Sequence, residues 1–196
     1  FDCLVGSEMC IRDSISWPTG SFKAPIIFNP YFEKEGIDTL VVPMGCKGED
    51  YPEFFKSLFQ LQNITGALIT MPHKVSTVDM LDDVSTSVQV CGACSAVRKE
   101  ADGRLVGDMF DGQGFVRGLA RKGRPAKGAS ALIIGSGGVG SAIAVAMAEA
   151  EVGRLALYDT RSEATEKLAD RIQQFFPKLS IQVGSNHPAG FEIVVN

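Results

Sequence analysis

Hydrophobic and polar positions divide the chain into strands and helices in turn. DTLVVPM (38–44) and ITGALITM (64–71) are short apolar runs, which predicts two buried strands, and YPEFFKSLFQL (51–61) between them spaces its apolar residues as an amphipathic helix does. Residues 74–90 read as helical with an interruption at Asp82 and Asp83. SAVRKEADGRLVGDMF then predicts two short strands about a turn at 101–103. DGQGFVRGLARKG predicts a helix closed by a basic, glycine-bearing stop, and RKGRPAKGAS (121–130) has the Gly, Pro and charge content of a linker.

After that stretch the pattern changes. ALIIGSGGVGSAIAVAMAEAEVGRLALYDT runs strand, glycine turn, small-residue helix and strand in 30 residues, a βαβ unit. SEATEKLADRIQQFF adds a helix, and LSIQVGS and FEIVVN add two strands. The last strand stops at Asn196 with no closing turn, so the expectation is a fragment whose sheet is cut part-way. FDCLVGSEMCIRDS (1–14) has no clear periodicity and is expected to be translated adapter or read-through, outside the fold.

Composition narrows the function classes. With 196 residues, 45% hydrophobic and 21% charged, the chain is long enough for one large or two small globular domains. A net charge of −4 without blocks of like charge argues against a nucleic-acid surface. No apolar run approaches the roughly 18 residues of a membrane span. Five cysteines, an odd number scattered along the chain, fit reduced thiols in a cytoplasm. Cys91 and Cys94 form CGAC, but a zinc site needs a second pair and the only histidines are His73 and His187. Small buried thiols are therefore expected, and no metal.

The glycine turn carries the first chemistry. Gly135, Gly137 and Gly140 are spaced GxGxxG after a strand and at the start of a helix, and Asp159 follows Gly140 by 19 positions. Gly135 permits the tight turn, Gly137 lets backbone approach a pyrophosphate, and Gly140 lets helix and strand pack closely. Ser136, Gly138 and Val139 complete the loop, whose helix N-terminus offers N–H groups to an anion. NAD or NADP is the expected cofactor.

The second chemistry lies in GALITMPHKV (66–75), where a core strand breaks at Pro72 and presents His73 and Lys74. Oxidising a secondary alcohol needs a hydride acceptor and a group that takes the hydroxyl proton. His187 lies in the loop SNHPAG and His73 reads as shaping the turn. Lys74 can serve if burial brings its pKa toward neutrality.

MPHK, GACSA, GDMFDGQG and GxGGxG, in that order, resemble the shikimate and quinate dehydrogenase family from about Ile15 to Asn196. The resemblance implies an α/β substrate-binding and catalytic domain over 15–115, a helix end and linker over 116–127, and a partial Rossmann-type doubly wound domain over 128–196. It implies that Lys74 is catalytic and that Asp111, flanked by Gly107 and Gly114, orients its ammonium and binds a substrate hydroxyl. The activity implied is NAD(P)-dependent hydride exchange with the alcohol or ketone of a shikimate-like or other small hydroxy acid. Its place would be the chorismate pathway of aromatic amino acid biosynthesis; a homodimer is left open.

Departures from the family pattern bear on substrate and cofactor. The serines of SxSP give way to FKAP (22–25), an expected asparagine is Leu68, two positions before Thr70, and GAVNT becomes GACSA at Ser95 and Ala96. Met109 and Phe110 replace the Asn and Thr of GxNTD. Lys23, Leu68, Thr70, Ser95, Met109 and Phe110 are the candidate substrate contacts; Lys23 could pair with a carboxylate, and Leu68, Met109 and Phe110 make the pocket more apolar. NADP-using members often carry NRT where this chain has Asp159, Thr160 and Arg161. A carboxylate there accepts from ribose hydroxyls and repels a 2′-phosphate, which favours NAD, although Arg161 partly offsets the repulsion. The alternative is a nucleotide-binding regulator or non-catalytic homologue with a decayed substrate site; retention of Lys74 and Asp111 argues against it.

Overall fold

The computed structural model describes residues 10–20 and 23–196. Two compact units divide it: the first runs to Val84 and resumes over Cys94–Gly107, and the second holds Ser85–Ala93 and Asp108–Asn196. The expectations for residues 1–9 and for Phe22 of FKAP fall outside the described residues.

The first unit is built on β1 (Cys10–Ser16), α1 (Ala24–Lys34), β2 (Thr39–Gly45), α2 (Tyr51–Leu58), β3 (Ile64–Ile69), β4 (Asp83–Val84), β5 (Ala96–Lys99) and β6 (Leu105–Asp108). Its sheet has the order β2-β1-β3-β5-β6-β4. Strand β1 runs parallel between β2 and β3, with Cys10 beside Thr39 and Ser14 beside Leu68. Cys10–Ser14, set aside on sequence, thus form the first part of a central strand. The pairing of their backbone with two neighbours places them there, which side-chain periodicity could not show.

Helix α2 buries Tyr51, Phe55 and Leu58, spaced i, i+4, i+7 as an amphipathic helix requires. Helix α1 lacks such a stripe: Pro25 and Pro30 lie within APIIFNPYFEK, only Phe32 is buried, and Ile26 and Ile27 are 71% and 61% exposed. Nothing in its pattern announced a helix. Its Asn29 instead serves the sheet edge, where Oδ1 accepts from Val41 N–H at 2.7 Å and Nδ2 donates to the Val41 carbonyl at 3.1 Å. The amide completes the hydrogen bonding that edge strand β2 would otherwise lack. Asn29→Ala is expected to cost roughly 1–3 kcal/mol, the penalty of orphaning partly buried backbone groups. A urea midpoint equal to wild type would show that water replaces the amide freely.

The helix expected over 74–90 forms only beyond the aspartates, at Thr86–Cys91; before them it is absent. Residues 71–77 form successive turns, a single 3-10 turn follows at Val78–Met80, and Asp83–Val84 pair in parallel with β6. The aspartates that read as an interruption have a tertiary role. Asp82 accepts from Leu105 N–H through Oδ2 at 2.7 Å and donates its own N–H to the Leu105 carbonyl at 2.9 Å.

The second unit comprises α3 (Thr86–Cys91), α4 (Asp111–Arg121), β7 (Ser130–Ile134), α5 (Gly138–Glu149), β8 (Arg154–Tyr158), α6 (Ser162–Phe175), β9 (Ser180–Val183) and β10 (Ile193–Val195). Its strands are all parallel, in the order β10-β7-β8-β9. This is a Rossmann-type sheet: β8 and β9 extend from one side of β7 and β10 from the other, which makes the carboxyl end of β7 a topological switch point. Helix α5 is buried throughout Ser141–Ala148. Helix α4 lies so close to it that a Cβ on Gly112 would stand 2.0 Å from the Ala142 carbonyl oxygen. RKGRPAKGAS therefore joins α4 to β7 inside this unit. Among the described residues no helix is long and apolar enough to cross a membrane.

Candidate active site

The glycine loop forms at the end of β7 because each glycine meets a separate steric demand. Gly135 has φ +110°, and its N–H donates to the Tyr158 carbonyl at 2.7 Å, which draws the turn against the end of β8. Gly140 faces back onto that turn, where a Cβ would lie 1.9 Å from the Gly135 carbonyl oxygen. Gly137 caps α5 in an extended conformation, and nothing stands within 4 Å of the place its Cβ would take. The open space over the first turn of a twelve-residue helix leaves its N–H groups accessible to an anion.

Side chains hold this loop in place. Ser136 donates its N–H to Asp159 Oδ2 at 2.7 Å, its hydroxyl lies 3.1 Å from that of Thr165, and its carbonyl accepts from the Ser141 hydroxyl at 3.1 Å. Asp159 Oδ1 also accepts from the Arg161 N–H at 2.9 Å. The N–H groups of Arg161 and Ser136 hold the Asp159 carboxyl down to about 2, so it is an anion at neutral pH. Its side chain is 11% exposed, against 71% for Arg161, whose Nε stands 3.5 Å from it. Thr160 is exposed. The loop, Asp159, Thr160 and Arg161 are thus gathered at the carboxyl ends of β7 and β8, and their donors and shape suit a dinucleotide.

In the first unit, β3 delivers Leu68 and Thr70, both half-buried, before the chain turns through cis Pro72 to His73 and Lys74. The Ser95 carbonyl accepts from Ile69 N–H at 2.8 Å, and Cys94 N–H donates to the Lys74 carbonyl at 2.8 Å. Leu68, Thr70, Lys74 and Ser95 therefore collect at the carboxyl end of β3. Lys74 is half-buried, whereas Lys23 caps α1 in the open. Two residues not singled out on sequence, Tyr51 and Thr77, pack beneath this turn; Tyr51 looked like one more apolar position on α2, and no local signal marked either.

Residues 15–97 match the family model described as the shikimate dehydrogenase substrate binding domain. The chain is 29% identical over 163 residues to the shikimate dehydrogenase (NADP(+)) of Geobacter metallireducens, covering 83% of this chain and 56% of that one. Both likenesses are to shikimate dehydrogenases. The chain spans little more than half the length of that relative. Among solved structures, the shikimate 5-dehydrogenase of Thermus thermophilus in complex with NADP(H) and shikimate matches with a TM-score of 0.83 at 25% identity, over 96% of this chain and 68% of that one. The ligand-free 5-ketofructose reductase of a Gluconobacter strain matches with the same TM-score and identity, over 96% and 69%.

Against the shikimate dehydrogenase motifs, the remaining candidates lie in the second unit. Asp111 opens α4 and is half-buried, a favourable position for a carboxylate at a helix N-terminus. Phe110 caps that helix and is 50% exposed, whereas Met109 is 2% exposed and belongs to the core. The CGAC thiols are buried. Cys91 donates to the Ala93 carbonyl at 3.2 Å and Cys94 to the Ala96 carbonyl at 3.1 Å, and burial pushes the Cys91 thiol up, away from the reactive thiolate.

Proposed function

We propose that the protein containing this chain is an NAD(P)-dependent oxidoreductase that interconverts a secondary alcohol and a ketone in a shikimate-like or other small hydroxy acid. The observation that carries this reading is the glycine loop. Its sterically required glycines and its bracing by Asp159, Thr165 and Ser141 make an anion cradle at the switch point of a Rossmann-type sheet, in a chain whose other half matches a substrate-binding domain. The nicotinamide would supply hydride transfer. Lys74 is proposed to carry the hydroxyl proton, and Asp111 to bind a substrate hydroxyl. Leu68, Thr70 and Ser95 are the proposed substrate contacts of the first unit and Phe110 that of the second, with exposed Lys23 the partner of a carboxylate; Met109, buried in the core, is left out. Among the described residues Cys10, Cys46, Cys91 and Cys94 are free thiols, which suits a cytoplasmic setting.

The test is turnover by the whole protein on hydroxy acids and, in the reverse direction, on keto acids and ketoses, with NAD(H) and NADP(H). Substrate-dependent change in the reduced nicotinamide signal is expected. Nucleotide binding with no turnover on any substrate would favour the non-catalytic alternative.

We further propose that NAD is preferred. The carboxylate at Asp159 keeps lone pairs for ribose hydroxyls beyond the two N–H bonds it accepts, and its charge opposes a 2′-phosphate. Arg161 leans toward Asp159, which reduces what its guanidinium offers a phosphate. Asp159→Asn is expected to narrow the NAD preference about tenfold, one pairwise charge interaction near a surface being worth roughly 1 kcal/mol or more. Titration of both nucleotides by tryptophan or nucleotide fluorescence checks it; tighter NADP binding by wild type would sink the assignment.

A further inference from the structure

His73 precedes the proposed acid–base lysine, yet it is 1% exposed and cannot meet a substrate from where it sits. Its surroundings assign it another task. The imidazole stacks on Tyr51 with ring centroids 3.9 Å apart and planes 16° apart. Nε2 lies 2.8 Å from the Cys46 carbonyl. A carbonyl only accepts, so Nε2 carries the proton. Burial pushes the imidazole down, against the opposing pull of that hydrogen bond, so the ring is neutral at neutral pH.

The His73 backbone is held as firmly as its ring. Its carbonyl accepts from Thr77 N–H at 3.0 Å, the Thr77 hydroxyl at 2.8 Å and the Ser76 hydroxyl at 3.1 Å, and its N–H donates to the Thr70 carbonyl at 2.9 Å. Because the Thr77 hydroxyl spends its one proton on that carbonyl, the Tyr51 hydroxyl 2.7 Å away must donate to Thr77. A chain of donors thus runs from α2 through Tyr51 and Thr77 to the carbonyl of the peptide that joins His73 to Lys74. The next carbonyl, that of Lys74, accepts from Cys94 N–H. The two peptides on either side of the lysine Cα are therefore fixed by separate parts of the unit, with Tyr51, His73 and Thr77 all buried.

We propose that His73 is a positioning residue: with Tyr51 and Thr77 it forms a buried clamp that sets the backbone at Lys74, and it acts on the reaction only by way of that lysine. This rests on the acid–base reading of Lys74 given above. Such a clamp matters because misplacing a reacting group by about 1 Å can cost on the order of 10²-fold in rate.

The experiment compares His73→Phe, which keeps the stack and loses the Nε2 hydrogen bond, with His73→Gln, whose amide can still donate toward the Cys46 carbonyl. In the whole protein, His73→Phe is expected to lower kcat about 10- to 100-fold, with KM and nucleotide Kd changed by less than about threefold, and His73→Gln to recover most of the loss. Thr77→Val, which removes one hydroxyl at nearly constant shape, should lower kcat in the same direction even if His73→Phe fails to fold. Hydrogen exchange at the Cys94 amide, which reports the Lys74 carbonyl directly, should rise in His73→Phe and Thr77→Val. Unchanged kcat and unchanged Cys94 exchange in Thr77→Val would overturn the proposal, as would equal losses of kcat and nucleotide affinity that glutamine does not repair. A wild-type protein that binds nucleotide without turnover defeats the reading of Lys74 instead, and the Cys94 exchange then decides by itself whether the clamp exists.

Discussion

Lys74→Ala in the whole protein is expected to lower kcat by roughly 10² to 10⁴-fold, the usual contribution of a positioned proton-transfer group, while nucleotide Kd stays within about twofold. The two parts of that expectation come from different elements. Lys74 follows β3 in the first unit, whereas the proposed anion cradle is backbone of the second unit between β7 and α5. Removing the lysine therefore leaves every donor of the glycine loop in place. Lys74→Arg should rescue poorly, because a guanidinium keeps its proton across the accessible pH range. Isothermal titration of nucleotide alongside steady-state kinetics separates the outcomes. Unchanged turnover would exclude Lys74 as acid or base, and parallel loss of nucleotide affinity would make it a structural residue.

Gly140→Ala is expected to abolish measurable nucleotide binding and to destabilise the second unit by about 3 kcal/mol, at or beyond the upper end of ordinary overpacking. A methyl at this position would fall 1.9 Å from the Gly135 carbonyl oxygen, and the obstacle is backbone, which cannot rotate aside as a side-chain tip can. Either α5 shifts along its axis or the loop opens; both move the N–H groups that would face a pyrophosphate. Helix α5 has little freedom to shift, since Ser141–Ala148 are buried without interruption and α4 already touches it at Gly112. Gly137→Ala is the natural control: its Cβ would meet nothing within 4 Å, so it should leave stability near wild type and act only where backbone must approach the ligand. Circular dichroism melting of both variants, followed by nucleotide titration, checks the contrast. Normal stability and binding in Gly140→Ala would mean that the loop relaxes far more easily than its packing indicates.

Much of the second unit was legible along the chain because its determinants are local. A glycine that must adopt φ +110° or face a carbonyl at close range leaves few substitutes, so GxGxxG survives as a pattern, and the apolar runs of β7 and β8 mark strands buried on both faces. The periodicity of α2 and α6 showed for the same reason: each buries one stripe. The identities of Lys74 and Asp111 stood out through the motifs around them, and their joint role remains a proposal.

What tertiary structure alone decided are features whose cause lies far away in sequence. Helix α1 exposes Ile26 and Ile27 and carries two prolines, so no stripe announced it; its Asn29 is explained only by the β2 edge twelve residues on. Residues 82–84 looked like a flaw in a helix because their partners, Leu105 to Gly107, come twenty-odd residues later. Cys10–Ser14 showed no period, yet two neighbouring strands supply the backbone partners that make them a strand. Spacing marked Asp159 as a candidate, but its tie to Ser136 N–H depends on β8 lying beside β7. The residues beneath Lys74 illustrate the same division: the sequence by itself determined that a lysine follows a broken strand, whereas the hydrogen bonds from Tyr51 through Thr77 to His73 exist only because folding brings α2 under that turn, where burial removes the water that would otherwise compete for each donor.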